Sequence, residues 1–121
     1  MNLKVGIDII EIERIEKAIT KRKTFKQKLY TEKEIEYCES QKNSLLHYAA
    51  RFCAKEAVMK ALGTGWAQGV TWTQIEILNH PSGEPYVNLY DTSAEIAGER
   101  KIVVSLSHSK SVASAVAVLY G

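Results

Sequence analysis

A chain of 121 residues, 45% apolar and 25% charged, has the make-up of one ordinary domain able to bury roughly 65% of its unfolded surface. No apolar run approaches the ~18 residues of a membrane span, and Asp8 interrupts the amino-terminal LKVGIDIIEI, which argues against a signal peptide and predicts a cytoplasmic location. The net charge of +2 hides an asymmetry: Lys17, Lys21, Arg22, Lys23, Lys26 and Lys28 fall together with no acid among them, so one surface is strongly basic and the remainder is net negative.

In chain order, Leu3, Val5, Ile7 and Ile9 alternate with Lys4, Gly6 and Asp8, the period of a strand ending near Ile10, with Asp8 on the face opposite the aliphatic one. From Glu11 the period becomes helical, with Ile12, Ile15 and Ile19 on one side and Arg14, Ala18, Lys21 and Phe25 on another. Thr31 and Glu34 form a T-x-x-E capping box that predicts a helix to about Glu39. A long helix is expected from about Ser44 to Leu62, stopped by Gly63 and Gly65. Strands at Gln74 to Leu78 and Tyr86 to Leu89 flank HPSGEP, a loop by composition, and Ser93 to Ala97 reads as a short helix. Ile102 to Ser107 and Val112 to Leu119 complete the strands, joined around His108 to Ser111. No repeat or linker divides the chain, so residues 1–121 are expected to form a single α+β domain, helices packed on a mostly antiparallel sheet.

Within the long helix, Leu45, Tyr48, Ala49, Phe52, Cys53 and Met59 share one arc, and Glu56 lies near its middle. A carboxylate facing the core side needs a cation, either Lys60 one turn on or a metal ion. Asp8 and Glu56 are hard oxygen ligands, and two carboxylates completed by waters and phosphate oxygens make a Mg²⁺ shell. Lys60, His108 and the Gly63-Thr64-Gly65 turn offer phosphate contacts. Taken singly each has a plainer reading: Asp8 as a cap, Glu56–Lys60 as helix support, His108 as a hydrogen-bonded residue, the glycines as a helix stop. Cys38 and Cys53, fifteen positions apart with no metal-ligand spacing, read as reduced and non-catalytic thiols.

Five blocks in order, VGIDIIEIERI, LYTEKEIEYC, RFCAKEAVMKALGTG, GEPY and VSLSHSKSVASAVAV, resemble the holo-(acyl-carrier-protein) synthases, the short type of 4′-phosphopantetheinyl transferase. The resemblance spans nearly the whole chain and implies that fold. It also implies a Mg²⁺-dependent reaction serving fatty acid biosynthesis: transfer of 4′-phosphopantetheine from coenzyme A to a serine of apo acyl carrier protein, releasing adenosine 3′,5′-bisphosphate. By the same resemblance Asp8 and Glu56 hold the metal, and Glu56, Lys60 and His108 are the catalytic set; on chemical grounds Glu56, directly or through water, is a candidate to take the serine proton, with Asp8 through water or the carrier's own surroundings as alternatives. Arg51, Lys60, Gly63, Thr64, Gly65, Gly83, Pro85 and His108 match coenzyme-binding positions. Arg14, Lys21, Arg22 and Phe25 would face the acidic carrier, with Ala18 where a larger apolar side chain is expected. The family further implies a homotrimer with sites at the subunit interfaces, and no nucleic-acid or membrane partner is expected. The small residues of Ser111 to Ala117 agree with close subunit packing and equally with a helix lying on that strand.

Two other classes remain open at this point. A nucleic-acid module would use the basic segment with Phe25 and Tyr30 for phosphates and stacking, but leaves Asp8, Glu56 and the GTG turn without a purpose. A catalytically idle coenzyme A scaffold would bind without turning over.

Overall fold

The computed structural model describes residues 2–63 and 68–121. Strand β1 (Leu3–Glu11) leads into helix α1 (Ile12–Lys21), followed by α2 (Phe25–Leu29), α3 (Glu32–Glu39) and the long α4 (Ser44–Leu62). Strands β2 (Ile75–Asn79) and β3 (Pro85–Leu89), helix α5 (Asp91–Ala97), and strands β4 (Lys101–His108) and β5 (Val112–Tyr120) complete the chain. The strands form two antiparallel sheets, one of order β1-β5-β4 and one hairpin of β2 and β3.

Local chemistry accounts for most boundaries. Both halves of the capping box at α3 are made: Thr31 Oγ1 accepts from Glu34 N–H at 3.3 Å, and the Glu34 carboxylate accepts from Thr31 N–H at 2.8 Å. Helix α4 ends where Gly63 turns left-handed at φ 82°, a conformation that favours glycine, and its N–H closes on Met59 and Lys60 carbonyls. The single helix expected from Glu11 through Phe25 is instead two. Arg22 is extended (φ −121°, ψ 110°), and the break lets Phe25 turn inward and meet the Tyr30 ring edge-on at 6.5 Å.

Helix α4 is the centre of the molecule. One narrow buried arc was the expectation, yet Ala50, Arg51, Ala54, Lys55, Ala57, Val58, Ala61 and Leu62 are buried as well. A helix enclosed on nearly every side has no single apolar stripe. Its alanines lie on those of β5, where Ala113, Ala115 and Ala117 are sealed beneath it, so the small-residue strand is explained within one chain. Gly6 of β1 completes this close contact. A Cβ there would stand 1.9 Å from the Ala57 carbonyl oxygen, backbone against backbone. Gly6→Ala is therefore expected to cost at least about 3 kcal/mol, the upper end of ordinary overpacking. Urea denaturation measures it, and a loss below about 1 kcal/mol would show that β1 and α4 do not meet this closely.

The other side of the three-stranded sheet is not covered. Leu3, Val5, Ile7 and Ile9 are 53 to 69% exposed, and Val103 on β4 is 48% exposed. In register across β5 they meet Tyr120, Val118, Val116 and Ser114, giving a continuous, largely apolar outer face.

Candidate active site

Because side chains alternate along β1, Gly6 and Asp8 point inward to α4 while the aliphatic residues point out. The glycine brings the strand against the helix, and Asp8, one strand repeat on, reaches Glu56 and Lys60. Lys60 Nζ donates to the Ile7 carbonyl at 2.8 Å and lies 3.5 Å from Asp8 Oδ1. Lys60 thus pairs with Asp8, not with Glu56 as the helical spacing suggested. Glu56 is half-buried, and burial first, then the Asp8 charge, raise its pKa above the ordinary carboxylate range, with Lys60 pulling the other way. Two carboxylates this close repel each other and together form a donor set suited to a cation.

A hard divalent ion fits this donor set. Among the described residues no group of three or more His, Cys, Asp or Glu side chains converges, so an ion held by Asp8 and Glu56 would draw its other ligands from water and phosphate oxygens. Cys53 lies beside Asp8 and Cys38 elsewhere in the core; both are free, and burial pushes both thiols up to about 12, which leaves them unreactive at neutral pH.

The remaining sequence-derived residues gather elsewhere. Arg51, Gly83, Pro85 and His108 line a cavity of about 430 Å³ together with Tyr37, His47, Asn79 and Glu84. Arg51 is only 2% exposed. Its guanidinium lies 4.2 Å over the Tyr37 ring and donates to Asn79 Oδ1, while its buried Nε has no hydrogen-bond partner among the described residues. This cavity and the carboxylate pair belong to opposite edges of the sheet, His108 on β4 and Asp8 on β1. On α4 itself, Arg51 and Glu56 are five residues and so about 140° apart around the axis. Within one copy of the chain the two groups therefore stand on different edge strands and on different sides of α4.

Gly63 has already committed its N–H to the helix end, so it can serve an anion only through its missing side chain; Thr64 and Gly65 lie outside the described residues. On α1, Arg14 and Lys21 are exposed, Arg22 caps its end and Ala18 is half-buried between them. Phe25 belongs to α2 and is half-buried against the core. Of the basic cluster, Lys17 pairs with Glu13 at 3.2 Å and Lys26 with Glu39 at 2.9 Å; Lys21, Arg22, Lys23 and Lys28 have no acidic partner among the described residues. Sequence reasoning passed over Lys55 and its partner Glu34. Both are fully buried, Lys55 Nζ lying 2.7 Å from Glu34 Oε1 and donating to the Ile75 and Trp72 carbonyls. No sequence pattern marks Lys55, because a helix enclosed on nearly all sides presents the same residue whether paired or solvated.

Comparison with known proteins gives one result. Residues 4–117 match the family model described as the 4′-phosphopantetheinyl transferase superfamily. A holo-[acyl-carrier-protein] synthase of Protochlamydia amoebophila is 45% identical over 119 residues, covering 98% of both chains. A crystal structure of a holo-(acyl-carrier-protein) synthase from Bacillus anthracis in complex with CoA (3′,5′-ADP) matches with a TM-score of 0.83 at 37% identity, covering 98% of this chain and 96% of that one. That of the Helicobacter pylori synthase in complex with coenzyme A matches with a TM-score of 0.85 at 30% identity, over 95% of this chain and 98% of its own.

Proposed function

The chain belongs to the 4′-phosphopantetheinyl transferase superfamily, a family of enzymes, and from that premise we propose that it moves 4′-phosphopantetheine from coenzyme A to a serine of apo acyl carrier protein. Adenosine 3′,5′-bisphosphate leaves, and the holo carrier enters fatty acid biosynthesis in the cytoplasm. The observation that carries this reading is the meeting of Asp8, Glu56 and Lys60 from β1 and α4, an arrangement suited to a metal-bound diphosphate.

The roles follow from the environments. Asp8 and Glu56 would hold Mg²⁺, which when bound neutralises charge on the diphosphate and its leaving group. Glu56, whose burial and charged neighbour favour protonation, is the group to accept the serine proton, directly or through water. Lys60 is 54% exposed in its side chain, free enough to swing from Asp8 to a phosphate oxygen. Arg51, with its unused Nε, and His108 face the nucleotide; Gly83 and Pro85 line the same cavity. Gly63, with open space where a side chain would stand, leaves room beside Lys60 for the diphosphate. The carrier docks on the exposed basic face of Arg14, Lys21 and Arg22, with Ala18 and Phe25 as its apolar contacts.

Two observations support a homotrimer with a site at each interface: the uncovered apolar face of β1, β5 and β4, and the division of the site between opposite edges of one chain. The test is one incubation. Apo carrier protein mixed with coenzyme A, Mg²⁺ and this enzyme gains the mass of a phosphopantetheine group, no gain appears with chelator, and the enzyme sediments as three chains. No mass gain with metal present rejects the transferase; a sedimenting monomer that still turns over rejects the shared site.

A further inference from the structure

The cavity beside α4 contains one more basic side chain than the reading above employs. His47, on the first turns of α4, is half-buried with its ring edge-on to Tyr37 at 5.5 Å, and it lines the same cavity as Arg51 and His108. Arg51 sits one turn further along, stacked on that same Tyr37 ring, the residue more than nine-tenths buried and its Nε without a partner among the described residues. Three side chains that carry or can carry positive charge therefore converge from α4 and β4. The titratable groups facing His47 are Tyr37 from α3, Arg51 from its own helix, Glu84 from the β2–β3 loop and His108 from β4. Among the described residues lining the cavity only Glu84 is acidic, and it is exposed.

Basic groups gathered this closely repel one another. Burial first, then the charges of Arg51 and His108, hold the His47 imidazole below its ordinary pKa, so it is neutral at neutral pH until a counter-charge arrives. The chemistry of the substrate supplies one. Coenzyme A carries a diphosphate and a separate phosphate monoester on the ribose. The diphosphate belongs with Asp8, Glu56 and Lys60 at the other edge of the sheet, so the monoester is the dianion left to be bound.

Resting on the coenzyme reading, we propose that His47 is a specificity-determining residue that joins Arg51 and His108 in recognising the ribose phosphate monoester. Binding the dianion favours the imidazolium, which then donates a charge-assisted hydrogen bond, so the protein takes up a proton as it binds. The same residue lets the enzyme distinguish coenzyme A from its 3′-dephospho form.

Calorimetric titration of the whole enzyme with each of these two compounds, near neutral pH and in two buffers of different ionisation heat, tests this. The wild type is expected to prefer coenzyme A and to take up protons with it alone. His47→Phe keeps the ring against Tyr37 but removes the charge. It should lose on the order of tenfold in coenzyme A affinity, most of the proton uptake, and nothing for the dephospho form. His47→Gln repeats the measurement should the phenylalanine disturb folding. Unchanged coenzyme A affinity, or equal losses for both compounds, overturns the assignment. A wild type that binds neither compound rejects the coenzyme reading itself, and this assignment with it.

Discussion

Glu56→Gln is expected to lower turnover by on the order of 10² to 10⁴ and to leave the fold at least as stable as before. The glutamine keeps the size of the side chain but neither accepts a proton nor supplies a charged metal ligand. Stability moves the other way because Glu56 is held above its ordinary pKa by burial and by Asp8. A carboxylic acid raised in the folded state opposes folding at pH values above its unfolded pKa, where the folded protein must carry the unwelcome charge. Replacing it by a neutral amide removes that opposition. Single-turnover kinetics set beside urea denaturation separate the two effects. A normal rate takes Glu56 out of the chemistry, and a parallel loss of stability makes it a structural residue.

Lys55→Met should have its largest effect on the fold. Lys55 and Glu34 are both fully enclosed, and the Glu34 carboxylate also accepts from the Thr31 and Ile77 backbone N–H groups, tying α3 and β2 to α4. Burial pulls the lysine below its ordinary pKa while the Glu34 carboxylate opposes this, so each member offsets the cost of enclosing the other. Removing the cation leaves an uncompensated carboxylate, at a cost of about 3–5 kcal/mol, a large part of the about 5–15 kcal/mol that holds a domain together. Denaturant midpoints measure it. Adding Glu34→Gln removes the stranded charge and should recover part of the loss. If the double variant is no better than the single one, charge is not the origin of the penalty.

The parts of this molecule that could be read from its residues are those governed by neighbours in sequence. The alternation of β1, the Thr31–Glu34 box and the glycine stop of α4 are each settled within a few residues, and each is found where expected. The end of α1 was not legible, because what decides it is the pull of the core on Phe25 and Tyr30. Nor was the role of Lys55. A helix enclosed on nearly all sides loses its amphipathic contrast, so a paired buried lysine and a solvated one look alike in sequence. For the site, Asp8, Glu56 and Lys60 lie together as their chemistry suggested. The separation of Arg51 and His108 from them depends on the order of strands in the sheet, which no local pattern encodes.

Strand β1 also constrains how the protein can vary. Its inward positions include Gly6 and Asp8, and four of its outward positions, Leu3, Val5, Ile7 and Ile9, are aliphatic, with a repeat of two residues. Insertion or deletion of one residue within Leu3–Glu11 would exchange the two sets, turning isoleucines onto the helix and the aspartate out to the aliphatic side. The segment can change its letters but not its count.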